Sequence, residues 1–446
     1  MNWLDLVLFP IFYLFISVIF YLISKKIKDK RLQKYFLITI HIKIFGGVFL
    51  GIIYYFYYSG GDTVNFYDDC TYLYNYFWQE PGQALQCIYL NLKKIFPNRN
   101  FLVNFRFHDA SSYIVVRTSF IFSLLSFNTY SIIATYFSIL SFIGVWCIYI
   151  TFRKIVNDNS LDQKLAIAIL FLPSLVFWGS GLIKDSLNIA ALGILFYSFH
   201  LLFIEKKIKL KYIILLLCST LVLKTLKVYV LYSFLPALAI LLFVEYRKKI
   251  HNKSLRLLIT PVLLSFIVSC IYLVMTNVQA EGRYSFENLS RSAVIISDYL
   301  YRQSVNQGGS ALQFSTTFDG SVSSIIKLAP EALLSVLFRP TLLEARNPLM
   351  LVSALENSFL LFLTLKAIWL SFKKTKNKHF VKHNGIIYSG LIFTIILGIG
   401  ITIATPNLGS LSRYRVPFLP FFICTMFIII EKSKKRIKES HKKNVS

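Results

Sequence analysis

The first 31 residues, MNWLDLVLFPIFYLFISVIFYLISKKIKDKR (1–31), decide the fold class. A run of about twenty almost uncharged apolar residues ends in a cluster of Lys and Arg, which is the pattern of a membrane-spanning helix halted on its basic side. There is no basic stretch ahead of the run and no small-residue cleavage site after it, so the sequence predicts a retained span rather than a removed leader. The same alternation of apolar run and basic segment continues along the chain. The chain has 446 residues, is 56% hydrophobic and has a mean hydropathy of +0.60. These values predict an all-α polytopic membrane bundle forming a single integral membrane domain over residues 1–446.

The net charge of +27 has a topological cause. Thirty of the 48 Lys and Arg fall in six short segments, 25–34, 153–164, 206–211, 247–256, 373–382 and 432–443. Basic residues concentrate in short cytoplasmic loops, so this distribution excludes nucleic acid as the reason for the charge. Placing all six segments on the cytoplasmic side predicts about 11 transmembrane helices (10–13). They run roughly over 4–23, 36–58, 130–151, 165–179, 186–204, 210–223, 228–245, 256–276, 349–370, 385–404 and 413–430. The N-terminus is then periplasmic, and residues 431–446 form a basic cytoplasmic tail. The apolar segment 111–127 is short and contains Arg117, and is read as interfacial or re-entrant.

Two long periplasmic loops follow from this scheme, 59–129 and 277–345. The first opens with YYSGGDTVNFYDDC (57–70), which places Asp62, Asp68 and Asp69 just beyond a span. It continues as EPGQALQCIYLNLKKIFPN (80–98), where Leu85, Ile88, Leu92 and Ile95 recur at the spacing of an amphipathic helix. Cys70 and Cys87 share this loop, as a disulfide pair or as two separate thiols. The second contains a Gly-rich polar part and then LAPEALLSVLFRPTLLEARNP (328–348), apolar enough to dip into the membrane.

Cations at the outer ends of spans run against the positive-inside bias. Lys184, Lys227, Arg346 and Arg413 stand near the starts of helices that enter from outside, with Lys224 and Arg415 close by. A helix start is already positive through its unpaired amides and macrodipole, so such a group calls for an anion. A buried phosphate held by Lys and Arg satisfies it; so does snorkelling to lipid phosphates. Acids occur on the same side. Asp185 is expected to pair with or cap Lys184, and Glu344 to do the same for Arg346. Asp62, behind Gly60 and Gly61, is either a turn cap or a catalytic or metal-binding carboxylate. Zinc-type spacing, a phosphate loop, a dinucleotide fingerprint and a nucleophile elbow are all absent from the sequence.

In layout the chain resembles the GT-C glycosyltransferases, integral-membrane enzymes that use polyprenyl-phosphate sugars at the outer face. The resemblance lies in a span, a long first outer loop with an acid, six further spans and another outer loop. It places a module over 36–276 and C-terminal helices over 349–430. SRYRVPFLP (412–420) is similar to the Arg-Tyr-Arg-x-Pro segment of protein-mannosyltransferase-like members. Together, PSLVFWGSGLIKDSL (173–187), FRPTLLEARNPLMLVSALEN (338–357) and NLGSLSRYRVPFLPFF (407–422) resemble a group of bacterial multi-span proteins associated with surface polysaccharide. The resemblance implies transfer of a sugar from a polyprenyl-phosphate or diphosphate carrier to a glycan or lipid acceptor, at a bacterial inner membrane. Asp62, Asp68 and Asp69 are then the catalytic acids, and Lys184, Lys224, Lys227, Arg346, Arg413 and Arg415 bind the substrate phosphate. A divalent Mg or Mn ion on Asp68 or Asp69 is compatible with this chemistry but not required by it. The alternatives are a polysaccharide repeat-unit polymerase or ligase, and a flippase for lipid-linked sugars.

Overall fold

The computed structural model describes residues 3–88, 105–107, 109–248, 321–373, 384–405 and 407–445, with isolated positions between 265 and 319. All regular structure among them is helical. The chain divides into two compact units, one of residues 1–152 and 169–228, the other of 153–168 and 229–446. Seven helices among the described residues are long and apolar enough to cross a membrane, or eight if one bent pair is a single span. The protein is therefore a multi-pass helical membrane protein.

The first unit begins with α1 (Trp3–Ser24) and α2 (Lys30–Ile52), joined by a short basic turn in which Asp29 caps α2. The last turn of α2 widens into a π-helical stretch, Ile53–Tyr57. Among the described residues read as the first outer loop are the helices α3 (Asp62–Phe77), α4 (Pro81–Gln86) and α5 (Ala110–Leu124). Then come α6 (Tyr130–Val156, whose last four residues belong to the second unit), α7 (Asn159–Leu170, of which only the last two residues belong to the first unit), α8 (Pro173–Trp178), α9 (Lys184–Phe199, extended by π-helical His200–Ile204) and α10 (Leu210–Leu226).

Without a hydrophobic force between helices in lipid, close packing relies on small residues. Helices α6 and α9 cross at Gly144 and Gly193, where a Cβ on Gly193 would lie 1.9 Å from the Gly144 carbonyl oxygen. Helix α2 packs just as closely: a Cβ on Gly47 would be 2.8 Å from the Gly181 nitrogen. One end of α1 is tied to α6, because the Asp5 carboxylate accepts from the Ser131 amide at 2.7 Å. This cap satisfies an orphan amide and places the beginnings of α1 and α6 at the same end of the unit.

The second unit contains α11 (Val228–Lys248, whose first residue belongs to the first unit), α12 (Val322–Phe338), α13 (Pro348–Phe372), α14 (Asn384–Ala404), α15 (Leu408–Tyr414) and α16 (Leu419–Val445). In its core Phe421 meets Phe234 and Phe393 edge to face, and those two rings are tilted against each other. Its basic segments share one end: Lys164 pairs with Glu431 at 2.5 Å, Lys435 with Asp158, and Arg436 donates to the carbonyls of Ser371 and Lys373. Within this unit, 153–164, 373 and 432–436 therefore lie together, as the alternation of basic segments requires. Helix α12 packs against α14 and does not continue past Phe338. The carbonyl of Pro340 accepts from Asn357, in the third turn of α13, at 2.8 Å. The segment expected to dip into the membrane thus reaches inward past the start of α13 and turns back.

Several expected spans differ. Residues 165–179 are not one helix: Pro173 ends α7 and starts the six-residue α8, since proline lacks the amide a continuing helix needs. Helix α10 has 17 residues, about 25 Å at the helical rise, short of a full crossing. The bent pair is α15 and α16, with a 72° break. The expected span 256–276 lies outside the described residues, as do Leu92 and Ile95; only Pro81–Gln86 of that amphipathic stretch is described as helix. The segment 111–127 is α5, whose Val115, Val116 and Phe120 are fully buried in the first unit. Cys70 and Cys87 are separate buried thiols, not a disulfide.

The glycine crossing yields a test. Gly193→Val should destabilise the protein by about 2 kcal/mol or more, because backbone atoms rather than a side-chain tip must move. Gly400→Ala, where nothing stands within 4 Å, should be tolerated. Thermal melting of the two purified variants distinguishes them.

Candidate functional site

The candidate site lies in the first unit, where the starts of α3, α5 and α9 meet the end of α10. Helix α3 begins with Asp62. Gly60 and Gly61 precede it at φ 149° and 120°, a conformation side chains rarely adopt, and Gly61 presses against the Tyr54 ring. Asp109 caps α5, accepting from the Ser112 amide at 2.9 Å and from the hydroxyls of Ser111 and Ser112. Lys184, the first residue of α9, donates to Ser111 at 2.8 Å and to Asp109 at 3.4 Å. Asp62 and Lys227 are both within electrostatic range of Lys184.

Asp185 and Lys227 form a second pair beside the first. Their side chains are 1% and 7% exposed, so this ion pair is almost fully withdrawn from water. Asp185 is well placed, since a carboxylate in the first turn faces the positive end of α9. Lys227 then neutralises it where α10 ends. The expected partners are thus exchanged: Lys184 turns to Asp109, and Asp185 to Lys227. The reason is geometric, because successive side chains on a helix point about 100° apart and neighbours in sequence do not face one another.

Burial works against the ionised form of Asp109, but the hydrogen bonds from Ser111 and Ser112, with the Lys184 charge, outweigh it. The carboxyl is held well below the usual carboxylate range. Asp69 shows the opposite balance: burial raises it, against hydrogen bonds from the amides of Arg106 at 2.9 Å and Phe107 at 3.2 Å. Asp68 pairs with the Arg106 guanidinium at 3.0 Å. Asp68 and Asp69 therefore anchor the segment 105–107 onto α3. Among the described residues no group of three or more His, Cys, Asp or Glu is arranged to hold a metal ion. Both Asp69 oxygens and one Asp68 oxygen are engaged by Arg106 and Phe107.

Of the remaining expected phosphate ligands, Lys224 is exposed on α10. The others belong to the second unit. Arg346 is exposed, and the acid expected beside it, Glu344, instead pairs with Arg339 and closes a capping box with Thr341. Arg413 is half-buried in α15. Arg415 is fully buried, 3.3 Å from Glu356 and from the Val336 carbonyl oxygen. Its charge has an internal counter-ion.

Two groups stand out that the sequence reading did not single out. Lys43, in the middle of α2, is fully buried and donates to Ser141 at 2.9 Å, the Leu175 carbonyl at 3.0 Å and the Gly179 carbonyl at 2.6 Å. All three ammonium protons have acceptors, two of them the end carbonyls of α8, where the helix dipole is negative. Lys43 thereby fixes the turn that leads into Lys184. Asn188, one helical turn after Lys184, is fully buried, and neither end of its amide has a hydrogen-bond partner. Such an amide is rare in a folded interior. A lysine and an asparagine in otherwise apolar runs were the available signals.

No protein-family model, curated protein or solved structure matches the chain.

Lys43→Met should destabilise the protein by roughly 1–3 kcal/mol, since it removes three buried hydrogen bonds, to Ser141 and to the Leu175 and Gly179 carbonyls, whereas Lys224→Met should stay within about 0.5 kcal/mol. Asp109→Asn should cost on the order of 1 kcal/mol at neutral pH through the weakened cap. Because the folded Asp109 carboxyl is depressed, its contribution is complete above the unfolded value near 4 and fades as pH falls further. The gap between the melting curves of wild type and Asp109→Asn should therefore stay constant from pH 7 to about pH 4 and begin to narrow only below that.

Proposed function

We propose that the chain is a membrane glycosyltransferase of the GT-C kind, moving a sugar from a polyprenyl-phosphate carrier to an acceptor hydroxyl during cell-surface polysaccharide or glycoconjugate assembly. The observation that supports it is the convergence of Asp62, Asp109 and Lys184 at three helix starts of the first unit. That end carries Asp5 and the beginnings of α1 and α6, away from the basic turn joining α1 to α2. In this reading it is the periplasmic end, the C-terminal tail is cytoplasmic, and the membrane is a bacterial inner membrane.

The chemistry needs a base on one side of the sugar and positive charge on the other. Asp62 takes the proton from the acceptor hydroxyl as its oxygen bonds to the anomeric carbon. The bond from that carbon to the carrier phosphate breaks, the phosphate leaves with the electron pair, and the configuration inverts. Lys184 and the first amides of α9 stabilise the departing phosphate, with Asp109 and Ser111 fixing the lysine's position. The buried Asp185–Lys227 pair holds the start of α9 in place.

Two experiments test this reading. Cysteine introduced at Asn407 should react with an impermeant reagent from outside, and cysteine at Lys209 should not; protection at Asn407 breaks the assigned sidedness. The full chain purified with native lipid should carry a prenyl-linked sugar by mass spectrometry. In a transfer assay Asp62→Asn and Lys184→Gln should each lower the rate by about 100-fold or more, with Lys224→Gln near wild type. Full transfer by Asp62→Asn overturns the base assignment. The absence of any prenyl-linked sugar, with no transfer by wild type, overturns the transferase reading.

A further inference from the structure

Helix α12 ends at Phe338 while α13, α14 and α16 continue, and below its last turns the second unit contains a groove of about 430 Å³. Leu334 and Leu337 of α12 line its upper part. Ile368 and Phe372 of α13, Ile395 of α14 and Met426 of α16 line the rest. Almost none of the lining is polar. In water such a surface would be a liability, but in a bilayer it needs only hydrocarbon to fill it.

The two ends of the groove differ. Its lower end, at Phe372, is the basic end of the unit. Arg436 donates to the carbonyls of Ser371 and Lys373 at 3.3 and 2.9 Å, and its Nε has no hydrogen-bond partner. The Lys373 ammonium lies 4.0 Å from the centre of the Trp369 ring, and Trp369 is 59% exposed. An exposed Trp beside a Lys at a helix end is the pattern of a membrane–water interface. From Thr364 to Phe372 the groove follows α13 for about 12 Å, close to one leaflet's share of a hydrocarbon core roughly 30 Å thick. Length and volume suit a single acyl chain. A polyprenyl tail is several times larger.

We propose that this groove seats one acyl chain of an anionic phospholipid from the leaflet at the basic end, with its phosphate at Lys373 and Arg436. The chain fills the space that the short α12 leaves and supports the tip of the helix from below. The choice of an anionic headgroup follows from the local charge. Each basic residue near such a surface contributes about 1 kcal/mol toward anionic lipid. The inference depends on the membrane placement of the helices and not on the chemistry proposed for the first unit.

The test uses the full-length chain in detergent, stripped of lipid and titrated with phosphatidylglycerol or phosphatidylcholine of matched acyl length, with native mass spectrometry as the readout. Wild type should retain one phosphatidylglycerol with a preference of roughly tenfold over phosphatidylcholine. Ile368→Trp, which fills the groove, should lose the bound lipid while keeping wild-type helix content by circular dichroism; Met426→Trp on another wall repeats the test if the first variant fails to fold. The pair Lys373→Gln and Arg436→Gln should retain one lipid but reduce the preference to about twofold or less. Equal retention of both lipids by wild type, or retention by both folded tryptophan variants, overturns the proposal. Displacement of phosphatidylglycerol by an equimolar polyprenyl phosphate overturns it as well, assigning the groove to the carrier.

Discussion

The buried ion pair between Asp185 and Lys227 is the interaction on which the first unit's arrangement turns. Removing one ion from a hydrated environment costs several kcal/mol, and only good geometry recovers it. That geometry requires α9 to start where α10 ends, so the two helices form an antiparallel hairpin with both charges at one end. Lys184 then has to face away from Asp185, toward α5. There Asp109, already engaged as a helix cap, receives it. The positions of Asp62, Asp109 and Lys184 follow from one buried pair and three helix starts.

Lys43 acts on the same region from the membrane side. A lone ammonium among apolar helices is tolerated because the end of α8 presents carbonyls at the right place, with the Ser141 hydroxyl as a third acceptor. The result is a stiff turn between α8 and α9, packed so closely on α2 that Gly47 and Gly181 leave no room for a side chain. A site built on such a turn has little freedom to shift, which suits chemistry sensitive to sub-ångström placement.

Much of the fold was legible from two patterns, the apolar runs and the six basic segments. Helices α1, α2, α6, α9, α11, α13 and α14 sit where hydropathy puts them, because a span needs a long uncharged stretch and little else. The break at Pro173 was available in the letters, but a proline within an apolar run is compatible with either a kink or a stop, and neighbouring helices decide which. The helices of the first outer loop were less visible. Asp62–Phe77 alternates acids, tyrosines and apolar residues, and its helix depends on packing against α5 rather than on a clean amphipathic face. For the site, the letters identified Asp62, Lys184 and Lys227 as charges needing explanation. They did not reveal who partners whom. Asp109 and Lys184 are 75 positions apart, and the adjacency of Lys184 to Asp185 in sequence pointed to a pair that the helix geometry separates.

The charges at the start of α9 are organised by partners within the protein, with Asp185 and Lys227 at their base. A double-mutant thermal-unfolding cycle on Asp185→Asn and Lys227→Met tests it most directly. Each single variant should be destabilised by about 3 kcal/mol or more while the double variant recovers much of that loss, giving a coupling of roughly 2 kcal/mol. Additive single effects, with coupling near zero, would contradict it and return Lys227 to the lipid or to a substrate.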